Sequence, residues 1–250
     1  MFTDTHAHFE KQYFDDYDVV INNAKENNIN RIISCGCSSN ANKESLVVSS
    51  NYSNIYSTIG FHPDQANIIT EADLTELESM LTNNKVVGIG EIGLDYHYDG
   101  FDKDKQKELF IKQLKLAQKH MLPVVIHSRD AVQDTIDILK EFPNVRGVIH
   151  SFSGSYEVAQ IYIKMGYKLG INGVVTFKNS NLKDVLFKID PRNIVLETDS
   201  PYLTPHPYRG EKNESKNIKI IADFLCELYN ISPEKLSEIT NKNVFEIFDI

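Results

Sequence analysis

The sequence is short of cysteine, of positive charge and of long apolar runs, and each shortage excludes something. Three cysteines, Cys35, Cys37 and Cys226, in 250 residues do not make a disulfide framework. Lys and Arg number 26 against 35 Asp and Glu, a net charge of −9, whereas a non-specific polyanion binder is normally basic. An acidic chain can still act on phosphates if bound cations supply the positive field locally. No apolar run approaches the roughly 20 residues that cross a bilayer. The opening Met1-Phe2-Thr3-Asp4-Thr5-His6 has neither a basic segment nor an apolar core of a secretory signal. A cytoplasmic protein with no membrane association and no obligate protein partner is expected. In that compartment the glycosylation-like Asn51-Tyr52-Ser53 carries no meaning.

No low-complexity stretch or Pro/Gly/Ser linker divides the chain. A hydrophobic content of 41% with 24% charged residues is ordinary globular usage. One domain over residues 1–250 is expected, a length that a barrel enzyme commonly uses whole.

Eight short apolar runs punctuate the sequence. They are Met1 to Thr5, Arg31 to Ser34, Ile55 to Ile59, Val86 to Gly90, Pro123 to Ile126, Gly147 to Ile149, Tyr167 to Ile171 and Ile194 to Leu196. Rich in Ile and Val, they read as strands buried on both faces. Helical periodicity lies between them. Phe110, Leu114, Ala117 and Met121 form one stripe, Val132, Ile136 and Leu139 another, and Ile218, Ile221, Ala222, Leu225 and Leu228 a third. Tyr13 to Tyr17 reads as part of an opening helix. Strands alternating with helices imply parallel pairing, and eight units in this length predict a (β/α)8 TIM barrel, with an open doubly wound sheet as the competing architecture.

What ends each run is informative. The first ends in Thr5-His6-Ala7-His8, the third in Gly60-Phe61-His62-Pro63, the fourth in Gly90-Glu91-Ile92-Gly93. The fifth and sixth end in His127 and His150, and the eighth in Glu197-Thr198-Asp199-Ser200. Five of the eight histidines therefore sit at strand C-termini, which in a parallel barrel open onto one face, the catalytic one. Taken singly, each residue has a plain structural use. A rim histidine can be a hydrogen-bonded core residue, Glu91 can cap a helix, and Asp199 before Ser200-Pro201 can form a turn. Taken together, His6, His8, Glu91, His127, His150 and Asp199 have the composition of a binuclear site for Zn²⁺, Mn²⁺ or Mg²⁺. Such a site suits hydrolysis, with two cations about 3.5–4 Å apart activating a water and stabilising the leaving oxygen. Asp199 is the candidate to bind metal and to orient or deprotonate that water.

These motifs resemble those of the TatD family of metal-dependent deoxyribonucleases, within the amidohydrolase-like barrels. The resemblance spans the whole chain. It rests on Asp4-Thr5-His6-Ala7-His8, Gly60-Phe61-His62-Pro63, Gly90-Glu91-Ile92-Gly93-Leu94-Asp95-Tyr96, His127-Ser128-Arg129-Asp130 and His150-Ser151-Phe152-Ser153-Gly154. Glu197-Thr198-Asp199-Ser200-Pro201-Tyr202-Leu203, Pro205, Arg209-Gly210 and Asn213-Glu214 complete it. It implies a phosphodiesterase acting on DNA, at a 3′ end or on a single strand, typically as an exonuclease. It further implies that His6, His8, Glu91 and Asp199 hold one divalent ion and Glu91, His127 and His150 another, with Asp199 and Glu91 the catalytic carboxylates. His62, Arg129 and Arg209 would lie nearest the substrate phosphates, although a surface salt bridge is the plain alternative for each arginine. His97 departs from the pattern, where an aromatic residue is more usual. A binuclear amidase, lactonase or phosphotriesterase acting on a small molecule is the rival reading, and a non-catalytic scaffold a third.

Three further signals carry less. Gly88-Ile-Gly90-Glu-Ile-Gly93 matches a dinucleotide fingerprint, but Leu94 to Gly100 does not open a helix, so the glycines are expected to let the backbone crowd beside Glu91. Cys35-Gly36-Cys37 has no second pair for a structural zinc site. Ser151 and Ser153 do not form a nucleophile elbow.

Overall fold

A computed structural model describes residues 1–100 and 102–250. Eight parallel strands follow one another around a (β/α)8 barrel in the order β1 to β8. They are β1 (Phe2–Ala7), β2 (Ile29–Cys35), β3 (Ile55–Ile59), β4 (Val86–Asp95), β5 (Val124–Arg129), β6 (Gly147–Ile149), β7 (Lys168–Ile171) and β8 (Ile194–Leu196). Among the described residues eight α-helices follow the strands: α1 (Tyr17–Glu26), α2 (Ser39–Asn51), α3 (Glu71–Met80), α4 (Lys103–His120), α5 (Val132–Lys140), α6 (Tyr156–Lys164), α7 (Leu182–Leu186) and α8 (Ile218–Tyr229). A ninth, α9 (Pro233–Phe248), ends the chain. Among the described residues no helix is long and apolar enough to cross a membrane.

The strands are paired as the Ile/Val runs predict, but β1, β2, β4 and β5 are longer, and β4 and β5 extend together at the catalytic face. β4 continues five residues past Gly90 to Asp95, and β5 three past Ile126 to Arg129. Their extensions pair with each other, Gly93 opposite His127 and Asp95 opposite Arg129. The glycines of β4 let the β5 backbone approach closely, Gly90 against Val125 beside Glu91 and Gly93 against His127 in the extension. A Cβ on Gly93, where φ is +143°, would stand 2.0 Å from the His127 carbonyl oxygen.

Three helix expectations need correction. Tyr13 lies in a turn, and α1 starts only at Tyr17, capped by Asp16, which accepts from the Asp18 and Val19 amides. Met121 is 90% exposed and takes a left-handed cap conformation after α4, so it leaves the apolar stripe. Helix α9 was not anticipated. Its Val244, Ile247 and Phe248 join Ile33, Val87, Val125, Val148 and Val195 in one apolar cluster, which packs the barrel interior away from the catalytic face.

The barrel is closed between β1 and β8 by side-chain and loop contacts more than by a ladder. Thr5 Oγ1 donates to the Leu196 carbonyl at 3.0 Å. The buried Asp4 carboxylate accepts from the Thr198 amide at 2.9 Å and its hydroxyl at 2.6 Å. Ala7 and Ser200 form an isolated parallel bridge. Burial pushes the Asp4 carboxyl up to about 7, against the stabilising bonds from Thr198.

Candidate metal centre

The strand ends bring the expected donors together at one face. His6 is the penultimate residue of β1 and His8 follows the strand by one, so the side chains share a side. Their Nε2 atoms lie 3.1 Å apart. Both face two carboxylates. His6 Nε2 is 3.6 Å from Glu91 Oε2 and 3.6 Å from Asp199 Oδ1; His8 Nε2 is 3.7 Å and 3.4 Å from the same atoms. The second cluster shares Glu91. His127 Nδ1 is 2.7 Å from Glu91 Oε1, and His150 Nε2 is 3.8 Å from it. His150 Nε2 also stands 3.7 Å from Asp199 Oδ1, and its ring stacks on His6 with centroids 3.7 Å apart. Glu91 thus sits between the two histidine pairs, one carboxylate oxygen turned toward each.

Three carbonyl or carboxylate groups orient the imidazoles, and two of them were missed in the sequence. His8 Nδ1–H donates to the Cys35 carbonyl at 3.1 Å, which leaves Nε2 as its lone-pair nitrogen. Asp95 Oδ2 lies 3.1 Å from His127 Nε2 and turns Nδ1 toward Glu91. Glu197 Oε1 lies 3.0 Å from His150 Nδ1 as an ion-pair contact, and it accepts a hydrogen bond from the Ser151 amide at 2.6 Å. Space for Glu197 comes from Gly170, whose missing Cβ would fall 2.2 Å from Oε2. The signal for Asp95 was strand alternation, and for Glu197, past the end of β8, only its place in the chain. Asp95 shares a face of β4 with Glu91, and Glu197 precedes Asp199 by two residues.

The electrostatics are those of a site built around positive charge. For Glu91, burial alone would raise the carboxyl, but His150, His127 and His6 hold it well below the usual carboxylate range. Burial opposes a charge on Asp199 too, and His150 and His8 outweigh it. Burial disfavours a protonated His150, yet Glu197, Asp199 and Glu91 push it up to about 10. His127, against the same burial, is pushed up to about 9 by Asp95 and Glu91. His6 goes the other way, lowered by burial and by His150. Four imidazoles and two ionised carboxylates converging in a buried space fit divalent cations of the Zn²⁺, Mn²⁺ or Mg²⁺ class. Glu91, His127 and His150 offer donor atoms all within 4.8 Å of one another, as do His6, His150 and Asp199.

The remaining expected residues are placed differently. His62 stands beside the second cluster, its Nε2 4.0 Å from Glu91 Oε1 and its ring edge-on to His127. Arg129 ends β5 on the surface, its guanidinium 5.2 Å from the Tyr98 ring centroid. Arg209 lies in the loop after β8, 3.9 Å over the Phe177 ring. It lines a cleft of about 990 Å³ with Ser153, Lys178 and Lys188, between the loops that follow β6, β7 and β8. The two arginines therefore lie at the same end of the barrel as the donors, Arg129 at the end of β5 and Arg209 in the loop after β8. His97 leans outward, its Nδ1 2.9 Å from Asp130 Oδ2.

Comparison with known proteins agrees with this fold. Residues 3–249 match the family model described as TatD related DNase. The chain is 41% identical over 254 residues to the metal-dependent hydrolase YabD of Bacillus subtilis, each covered fully. It is 31% identical to YjjV of Escherichia coli K12, with 100% of this chain and 98% of YjjV aligned. The solved structure of YjjV superposes with a TM-score of 0.95 over 100% of this chain and 98% of that one. A TatD-family hydrolase from Entamoeba histolytica gives a TM-score of 0.89 at 28% identity, over 99% of this chain and 97% of its own.

Proposed function

The chain belongs to the TatD family of metal-dependent hydrolases, and within it we propose that the protein cleaves phosphodiester bonds of DNA. The observation that supports this reading is the cluster of His, Asp and Glu donors at the strand ends together with two aromatic-backed arginines at the same end of the barrel. A guanidinium over a ring suits a polymer of alternating phosphates and bases, since the cation meets phosphate and the ring offers a stacking face. A compact neutral ester needs neither.

When bound, divalent cations would supply Lewis-acid polarisation of the phosphodiester and neutralise its charge. His6, His8, Glu91 and Asp199 would hold one ion, and Glu91, His127 and His150 the other. The chain's own groups do the rest. Asp199 Oδ1 faces the centre beside His6, His8 and His150, in place to orient an attacking water and take its proton. As the water oxygen bonds to phosphorus, the bond to the leaving strand oxygen breaks. Asp95 and Glu197 keep the two outer imidazoles turned inward. His62, Arg129 and Arg209 position the phosphates that flank the scissile one.

The test is hydrolysis of single-stranded DNA with Mg²⁺ or Mn²⁺, with and without chelator, by wild type and Asp199→Asn. Asn tolerates the left-handed backbone at residue 199, where φ is 58°, so this change isolates the carboxylate. Loss of several orders of magnitude in rate is expected. Activity that survives in metal-free Asp199→Asn would refute the mechanism. Faster turnover of lactones, amides or phosphotriesters than of DNA, unaffected by Arg209→Ala, would favour a small-molecule substrate instead.

A further inference from the structure

The edge of the centre next to β2 contains sulfur. Cys35 ends β2, and Cys37 follows it by two residues, on the rim beside His8. The two thiols have different surroundings. Cys35 is buried and accepts from Thr58 Oγ1 at 3.1 Å. Cys37 is partly exposed, and donor atoms of His8, Glu10 and Cys37 lie within 4.8 Å of one another. The segment that carries Cys37 is held at both ends. The Gly36 amide donates to the Thr58 carbonyl at 2.8 Å, and the Cys37 carbonyl accepts from the His62 amide at 2.9 Å. Glu10 is only 7% exposed, and the hydrogen bond to its carboxylate comes from the neutral Gln12 amide at 2.9 Å. Glu10, His8 and Cys37 thus offer an oxygen, a nitrogen and a sulfur donor to one point.

We propose that His8, Glu10 and Cys37 form a side site for one thiophilic divalent cation of the Zn²⁺ or Cd²⁺ class, which competes with the main centre for His8. Sulfur sets the preference, because a thiolate selects soft and borderline ions while the nitrogen and oxygen donors of the main centre accept harder ones. The competition follows from the hydrogen bond of His8. Its Nδ1–H is committed to the Cys35 carbonyl, so Nε2 is its one lone pair, and two ions cannot both bond to it. On binding, the Cys37 thiol gives its proton to solvent as the metal–sulfur bond forms. A soft ion in the side site therefore withdraws one ligand from the main centre, and excess Zn²⁺ or Cd²⁺ inhibits. The inhibition rests on the proposed role of His8; the binding does not.

The experiment titrates Cd²⁺ into Mn²⁺-loaded protein carrying Cys226→Ser, with and without Cys37→Ser, following the ultraviolet sulfur-to-cadmium charge-transfer band and hydrolysis together. The band is expected in the parent and in Cys35→Ser but lost with Cys37→Ser, with Cd²⁺ affinity weakened roughly tenfold or more. Inhibition by Cd²⁺ is expected to be relieved in step. Circular dichroism checks that Cys37→Ser folds. Should it not, Glu10→Gln keeps the thiol and is expected to weaken the band at fixed Cd²⁺, and bound Cd²⁺ should protect Cys37 of the parent from alkylation. An equal band with and without Cys37, or no protection of Cys37, would overturn the site. A Cys37-dependent band without inhibition at any Cd²⁺ concentration would overturn the competition for His8. If DNA is not hydrolysed at all, the band and the protection still decide the binding, so that failure is distinguishable.

Discussion

The amide of Asp199 donates to the carbonyl of His6 at 2.9 Å, which joins two of the proposed metal donors through the backbone at the point where the barrel closes. The amide of His8 returns a bond to the Ser200 carbonyl at 2.8 Å. Seam and site are thus one structure. One layer below, Asp4 ties β1 to Thr198.

Removing Asp4 should therefore disturb stability and metal binding together. Asp4→Ala leaves the buried Thr198 amide and hydroxyl without their acceptor, at a cost of about 1–3 kcal/mol. Urea denaturation of the metal-free protein measures the first effect and Mn²⁺ titration the second. Unchanged stability would show that the seam is held elsewhere.

Asp95→Asn and Glu197→Gln should each weaken divalent-ion binding by roughly 10–100-fold while the fold persists, since each carboxylate orients a ligand imidazole without facing the ion itself. Isothermal titration of the metal-free variants reads this directly. If both bound Mn²⁺ like wild type, His127 and His150 would not be ligands oriented in this way.

Uptake of metal at pH 7 should release protons. His127 and His150 are pushed up to about 9 and about 10 in the metal-free protein, His8 is raised against burial by Asp199 and Cys37, and an imidazole must be neutral to coordinate. About three protons per molecule are expected at pH 7, and fewer as pH rises through these values. Calorimetry in buffers of different ionisation enthalpy counts them. His127 and His150 also set a stability trend. Because their folded values lie above the ordinary 6.5, their contribution is full below that pH and lost as pH rises toward 10. The metal-free protein should therefore melt at progressively lower temperature across this window.

Much of this was legible in the sequence because buried strands and their polar ends have distinct chemistry. Runs such as Val124-Val125-Ile126 followed by His127 state both the strand and the site. What stayed hidden depended on contacts between distant segments. The fourth apolar run stops at Gly90 in the sequence, and only the pairing of Gly93 with His127 carries β4 on to Asp95. Helix α9 mixes Val244 and Ile247 with Asn241, Asn243 and Glu246, and the reason for its apolar face is the barrel interior it meets. Glu197 and Asp95 look like neighbours of ligands in the chain, and only the fold shows them touching imidazoles.

Arg129→Ala and Arg209→Ala should raise KM for DNA more than they lower kcat, and each should reduce the salt slope of binding by about 1, as expected for a lost phosphate contact. Fluorescence anisotropy over a salt series measures the slope. No change in either variant would mean that the stacked guanidinium groups belong only to the surface, beside Tyr98 and Phe177.

Anomalous scattering from crystals loaded with Mn²⁺ tests the centre most directly. Two peaks are predicted on either side of the Glu91 carboxylate, one within bonding distance of His6, His8 and Asp199 and the other of His127 and His150. A crystal holding Mn²⁺ elsewhere, with the space between these side chains free of anomalous signal, would contradict the account.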